Sequence, residues 1–446
     1  MDSNLYVLNP SLESESVESA MTPRAAPNWS RSGDRQACDL TAESSWKTLD
    51  RLNLPSDWEF FADRRKMSPE DQASFERIAF RHGQAYDSYL AVEPDGQAMM
   101  SADRQMGFAI LNCRHVWHIP GGVLAAPERK RELLITLAEI ARRNRLIIGI
   151  HSVNESDCQL MRELGYEINK FGEEPTLDLR RHSWAGSQFS WVRQQSNHCE
   201  REGIVCREIR RKDLAPEQWT EIAGQLERIT ADDLKDRGVS ELRGLEGRLF
   251  LDHLGRRRIF VAYQDDSHRL ATPTAEDGAS PPPSGVAAIQ AFLICNPINQ
   301  GTDWAFEMYR RRKHAVRGVI PHLMRTTIDQ MRSEGVRNIR LCTVPGKGAG
   351  PGADPRQHWV VGWIMRFWYE RLDFLLNVHG QCHFKSRFRP KFENRYLCVT
   401  PRSTLFSIST FLSITGATIR PMNCLRQFIR HIRYPVPKAR LPNSQP

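Results

Sequence analysis

Residues Ala305–Ile320 read AFEMYRRRKHAVRGVI. Their order decides the fold. Trp304 to Met308 alternates in apolar character, as a strand does. Five consecutive basic or potentially basic residues follow, Arg310 to His314, and then Arg317-Gly318. From Ile320 the period changes: Ile320, Leu323, Met324, Thr327, Ile328 and Met331 form the apolar face of a helix. A helix start presents unpaired backbone N–H groups and a partial positive charge. A glycine there lets an anion approach the backbone closely. The junction therefore predicts a receiving site for a phosphate-bearing donor. Taken alone, a basic run is also a solvated loop.

The same strand and helix order extends on both sides. After the helix, VRNIRLCTV predicts a strand, and WIMRFWYERLDFLL a helix running into another strand. In the first half Pro127 opens a helix through Arg143, with Leu133, Leu134, Leu137, Ile140 and Ala141 on one face. RLIIGIHSV is then a nearly continuous apolar run that predicts a buried central strand, and NESDCQLMRELGYEI a helix followed by a strand. LMRELGYEI in the first half and FWYERLDFL in the second align by residue type. The expected architecture is an α/β (α+β) chain in which one unit occurs twice. Residues 1–45, rich in Ser, Glu and Pro, are expected to be disordered. Residues 46–198 form the first unit, 199–400 the second and 401–446 a tail. Residues 264–285 read as an insertion in a hairpin between RRIFVAYQ and GVAAIQAFLIC.

The chain of 446 residues is 40% apolar, with a net charge of +9 and a pI near 9.1. Such a balance suits anionic partners such as nucleic acid, phosphorylated substrates or an anionic membrane surface. The ten cysteines include no C-x-x-C pair, which predicts reduced thiols in a cytoplasmic protein and no metal site. The polar N-terminus predicts no signal peptide, and no apolar run is long enough to span a membrane. In the tail, Leu425, Phe428, Ile429 and Ile432 share a helical face among arginines. That pattern fits either an amphipathic helix at the inner membrane surface or a helix packed on the second unit.

The repeated unit, ending in LMRELGYEI, resembles a GNAT-type acyltransferase domain. Those domains have a mixed sheet with two splayed strands and a helix whose N-terminus receives the donor's pyrophosphate. Only Arg317-Gly318 matches their glycine-rich loop. Three ordered stretches, GEEPTLDLRRHSWAGSQFSWVRQQSNHCEREG from Gly172, the block Trp304 to Met324, and HFKSRFRPKFENRYL from His383, carry a more specific resemblance. Together they resemble the C-terminal domain of phosphatidylglycerol lysyltransferases, found also in multiple peptide resistance factors and alanyl-phosphatidylglycerol synthases. The likeness covers roughly residues 60–400. Glu173, Asp178, Arg193, Asn197, Arg201 and Glu202 match the first block. Glu307 stands where the family has Asp, and Arg310 where it has Arg. Phe384, Lys385, Phe388, Pro390, Arg395 and Tyr396 match the third block. EMYR replaces DLMR, Phe392 replaces a Trp, and TVPGKGAGPGADPRQ is longer than its family counterpart.

The resemblance implies two tandem GNAT-like folds, aminoacyl-tRNA as donor, a membrane lipid head group as acceptor and no cofactor. Some freestanding relatives attach amino acids to sterols. The enzyme would position an already activated ester, deprotonate a lipid hydroxyl and stabilise the oxyanion. Glu307 and Arg310 are the candidate catalytic residues, and a structural ion pair is an equal reading for Glu307. Arg317, Gly318, Lys385, Arg387, Glu173, Arg193 and Asn197 are the candidate substrate-binding residues. Tyr396 and Phe388 are assigned to the core. An acetyl-CoA-dependent transferase and a non-catalytic lipid- or RNA-binding protein on the same scaffold are the alternatives.

Overall fold

A computed structural model describes residues 52–237, 247–264, 287–371 and 378–414. Thirteen strands among them form one mixed sheet: β1 (Trp58–Phe61), β2 (Gln97–Ser101), β3 (Gly107–Cys113), β4 (Val116–Ile119), β5 (Ile147–Val153), β6 (Glu167–Asp178), β7 (Ile204–Ile209), β8 (Arg258–Gln264), β9 (Ile289–Ile298), β10 (Asp303–Arg311), β11 (Asn338–Arg340), β12 (Val344–Pro345) and β13 (Lys391–Thr400). The order across the sheet is β1-β2-β3-β4-β5-β13-β6-β11-β10-β9-β8-β7, with β12 paired to β6 beside this path. Nine α-helices are described: α1 (Pro69–His82), α2 (Lys130–Asn144), α3 (Glu155–Glu163), α4 (Ser190–Arg201), α5 (Pro216–Arg237), α6 (Val319–Ser333), α7 (Trp359–Arg371), α8 (Val378–Ser386) and α9 (Leu405–Ile414).

Local chemistry accounts for several element ends. Ser68 caps α1, its hydroxyl accepting from the Asp71 amide at 3.0 Å, with Pro69 at the first helical position. Asn154 caps α3 through the Asp157 amide at 2.8 Å. Two strand pairs are parallel, β4 with β5 and β10 with β11, and a helix bridges each pair, α2 in the first and α6 in the second. The insertion expected over 264–285 begins at the last residue of β8. The rest of it lies outside the described residues, but β8 and β9 are indeed an antiparallel pair.

Two apolar layers cover the second half of the sheet. Phe260, Ala262, Leu293 and Cys295 face α4 and α6, while Ile259, Val261, Phe292 and Ile294 face α5. This is the alternation that a sheet buried on both faces requires. The first half has its own core of β3, β4 and β5 residues against α2 and α3, including Trp117, Ile148, Leu134, Leu137 and Met161. Tyr396 and Phe388 are both buried, as expected of core residues.

Two sequence expectations need correction. The helix at Trp359 does not run directly into a strand: a second helix, α8, intervenes before β13. The LDFLL part of that stretch lies outside the described residues. And β13, expected to end the second unit, sits between β5 and β6, paired antiparallel with both. Part of the tail, α9, packs on the sheet with Ser407, Thr410 and Phe411 buried. The arginine-flanked face at Leu425–Ile432 lies outside the described residues, as do residues 1–51.

Candidate active site

Strand β10 carries the site because it outruns its neighbour. It pairs with β11 only from Asp303 to Ala305, so β10 is left without that partner from Phe306 onward. At this point β10 also bulges: Phe306 pairs with Cys295 and Met308 with Ile294, leaving Glu307 as the extra residue. The bulge resets the alternation. Phe306 packs on the α6 side and Met308 on the α5 side, where period two would have put them together.

Glu307 is buried, and its carboxylate accepts a hydrogen bond from the Gly247 amide. Gly247 lies two residues before Leu249, which packs on the α5 cluster. Arg310 is almost fully buried and donates to Asp233 of α5 at 3.1 Å. Cys342 occupies the gap where β11 has ended. Its thiol donates to the carbonyl oxygens of Phe306 at 3.0 Å and Glu307 at 3.4 Å. Its own carbonyl accepts from the buried Lys385 ammonium at 3.1 Å. Glu307 and Lys385 thus meet the same residue from different elements.

The other side of β10 is open. Tyr309 and Arg311 line a cavity of 530 Å³ with Gly318, Gln195 and Trp191. Gly318 immediately precedes α6, with φ at +87°, the left-handed region that favours glycine. Arg317, exposed on the same cavity wall, gives its carbonyl to the Cys199 thiol at 3.5 Å. Arg387 stacks over the Trp191 ring at 5.4 Å, at the cavity rim. Cavity and buried carboxylate therefore lie on opposite faces of β10, next to the gap left by β11.

Three expected substrate-binding residues stand elsewhere. Arg193 holds a turn, donating to the carbonyls of Trp184 and of Gly186 at 2.8 Å. Asn197 is exposed, its carbonyl accepting from Arg201 at 3.2 Å. Glu173 pairs with Lys170 at 3.1 Å and with Lys347. Of the other matched positions, Asp178 pairs with Arg180 at 3.0 Å on the surface.

The residue after Glu173 is the buried one. Glu174 is fully enclosed, accepting from Arg340 at 2.9 Å and from Arg395 at 2.8 Å. Burial opposes its charge, but these two guanidinium groups hold its carboxyl below the usual range. Glu174 also accepts from the Tyr86 amide at 3.0 Å. Burial above all, then the charges of Asp87, Cys342, Glu174 and Glu307, pushes the Tyr86 phenol well above its ordinary value. Burial likewise pushes Asp87, bonded to the Ser152 hydroxyl at 2.6 Å, up to about 7. Tyr86, Cys342 and Gln195 were not singled out from sequence. Only the bulge and the β10–β11 gap bring them to the site. No cluster of three or more His, Cys, Asp or Glu with metal-binding geometry occurs among the described residues.

Comparison with known proteins agrees with this arrangement. Residues 75–399 match the family described as phosphatidylglycerol lysyltransferase, C-terminal. The chain is 21% identical over 333 residues to a lysylphosphatidylglycerol biosynthesis bifunctional protein LysX of Rhodococcus opacus, covering 72% of this chain and 26% of that protein. It is 21% identical over 297 residues to a phosphatidylglycerol lysyltransferase of Bacillus subtilis, covering 65% of this chain and 31% of that one. The chain thus spans about a quarter to a third of these relatives. Among solved structures, the C-terminal domain of an Agrobacterium fabrum lysylphosphatidylglycerol synthetase superposes with a TM-score of 0.59 at 18% identity, covering 78% of this chain and 96% of that one. L-PGS from Bacillus licheniformis gives 0.59 at 16% identity, covering 80% and 99%. The fold is that of the GNAT-like acyltransferases, and the chain belongs to the phosphatidylglycerol lysyltransferase C-terminal family of transferases.

Proposed function

We propose that the protein moves an amino acid from aminoacyl-tRNA to the hydroxyl of a membrane lipid, phosphatidylglycerol or another. The observation that carries this reading is the gap beside β10, with a glycine-led helix start and arginines on one face and a buried carboxylate on the other. The terminal nucleotide of the tRNA docks in the cavity at Gly318, where backbone N–H groups and Arg317 take its phosphates. Its ester carbonyl reaches into the gap. The lipid hydroxyl attacks that carbon, the bond to the ribose oxygen breaks, and the hydroxyl proton passes to the ribose. The exchange is redox-neutral.

Glu307 orients or deprotonates the acceptor, and Arg310 and Lys385 supply the positive charge that stabilises the oxyanion. Arg387, stacked on Trp191, borders the donor cavity. Glu173, Arg193 and Asn197, by their contacts, support the architecture and are left out of this scheme. The site works without a dissociable cofactor, because the donor ester is already activated.

The test is direct. Purified protein is incubated with radiolabelled aminoacyl-tRNA pools and total lipids, and the lipids are separated. Label should enter lipid and be abolished by prior RNase treatment. Acetylation from acetyl-CoA that survives RNase would favour the other acyltransferase reading.

A further inference from the structure

Helix α7 leaves three large aromatic or indole side chains in water. Trp359 is 71% exposed, Trp363 54% and Phe367 42%. Their four-residue spacing sets them on one helical face. Trp363 and Phe367 stack with ring centroids 5.3 Å apart. The opposite face, with Val361 and Met365, is buried against Phe171 and Phe411. Leu405, at the start of α9, is 72% exposed. Soluble surfaces rarely gather such side chains without a partner.

Phe367 belongs to two features at once. It is exposed, and it lines an apolar cavity of 150 Å³ between α7, α9 and the sheet, with Met365, Leu397, Ile408 and Phe411. An apolar cavity of about this size stays dry and accepts an apolar guest. Exposed arginines flank the aromatic face: Arg356 just before α7, Arg366 on it, and Arg402 just before α9. Glu370, the exposed acid on the helix, is paired with Arg366 at 2.8 Å.

We propose that the α7–α9 face docks on an anionic lipid bilayer. Trp359, Trp363, Phe367 and Leu405 enter the interface, the flanking arginines meet lipid head groups, and an acyl chain enters the cavity past Phe367. Aromatic rings at head-group level and basic residues around them are the chemistry of an interfacial helix. No described helix is long and apolar enough to cross a membrane, so this contact is one that lies on the surface. The proposal deepens the lipid-acceptor reading, but its test does not use the transfer reaction.

Full-length protein is sedimented with vesicles of phosphatidylcholine, with and without phosphatidylglycerol, and compared with the triple variant W359S/W363S/F367S. The parent should bind the anionic vesicles, less so as salt rises, and the variant should bind roughly tenfold or more weakly with an unchanged melting temperature. Equal binding by parent and variant overturns the proposal. So does a parent that binds no vesicles. A parent dimer that becomes monomeric in the variant would also overturn it, because a second copy would then cover the face. Transfer to lipid in detergent micelles separates the two readings. Micellar transfer without vesicle docking defeats only this proposal, and docking without any transfer defeats only the proposed reaction.

Discussion

Gly318 stands against Gln195 so closely that a Cβ on the glycine would lie 2.7 Å from Gln195 Oε1 and 3.3 Å from its Cα. The contact joins the start of α6 to the middle of α4 at the cavity where the donor is proposed to bind. Two penalties follow for Gly318→Ala. The left-handed backbone costs a residue with a Cβ about 1–2 kcal/mol, and the contact with Gln195 forces a shift. The double variant G318A/Q195A relieves the contact but not the backbone strain. In chemical denaturation the double variant should recover part of the lost stability, with about 1–2 kcal/mol still missing. Full recovery would mean that the backbone at 318 is not held in the left-handed region. Both variants should raise the Michaelis constant for aminoacyl-tRNA.

Glu307 is buried at the bulge and bonded to the Gly247 amide, so two substitutions separate its chemistry from its packing. Glu307→Gln keeps an acceptor oxygen for that amide and removes the charge. It should melt close to the parent and lower turnover by roughly 10²–10⁴, the span of a general-base contribution, with little change in donor affinity. Glu307→Ala removes the acceptor too and should cost a further ~1–3 kcal/mol of stability. If Glu307→Gln turns over normally, the carboxylate is structural.

The strand, glycine and helix from Asp303 to Ser333 were legible because their signals are local: alternation, then a glycine, then a 3.6-residue period. The relative depth of Glu173 and Glu174 was not. Neighbours on a strand point to opposite faces, and only pairing with β13 and β11 decides which is enclosed. Family likeness therefore selected Glu173, on the Lys170 side, while Glu174 holds the buried arginines. The Glu307 bulge and the insertion of β13 between β5 and β6 are likewise products of distant pairing, invisible to any window of sequence. Arg193 matched a substrate-binding pattern, but its guanidinium holds the Trp184–Gly186 turn.

The Glu174 cluster should be a large determinant of stability. Arg395→Met leaves Glu174 with Arg340 alone among the two guanidinium groups that now hold it, in a fully buried setting. Removing one partner of a buried ion pair costs about 3–5 kcal/mol. Unfolding in urea should show a loss of that order, and adding Glu174→Gln to the same chain should return part of it. An Arg395→Met protein as stable as the parent would mean that Arg340 alone suffices.

Asp87 gives stability a pH dependence opposite to that of a salt-bridged aspartate. Its carboxyl is raised from an ordinary 3.8 to about 7, mainly by burial. Between those values the folded chain keeps a proton that the unfolded chain has released. Stability from this group is therefore present at low pH, declines as pH rises from about 4 to about 7, and is flat above. Asp87→Asn is neutral throughout and can still bond to Ser152. The parent should lose stability relative to Asp87→Asn across that window and run parallel to it above. Parallel curves from pH 4 to 7 would show that Asp87 is ionised in the folded protein.

Arg317 offers the sharpest reading of the donor cavity, because it is exposed and its substitution leaves the core intact. A charged hydrogen bond to phosphate contributes about 1.5–3 kcal/mol when shielded, and an exposed arginine retains part of that, so Arg317→Ala should weaken aminoacyl-tRNA binding roughly 3- to 30-fold. The salt dependence is more telling than the affinity. Each phosphate contact on a single strand contributes about 0.7 to the slope of log affinity against log salt. Losing Arg317 should reduce the slope by about that amount, so parent and variant converge as salt rises. Filter binding of aminoacyl-tRNA over a salt series measures both quantities, and melting temperature should not change. A variant with weaker binding but an unchanged slope would have lost something other than a phosphate contact. A variant with neither effect would mean that the basic run at 310–317 faces solvent and that the donor enters by another route.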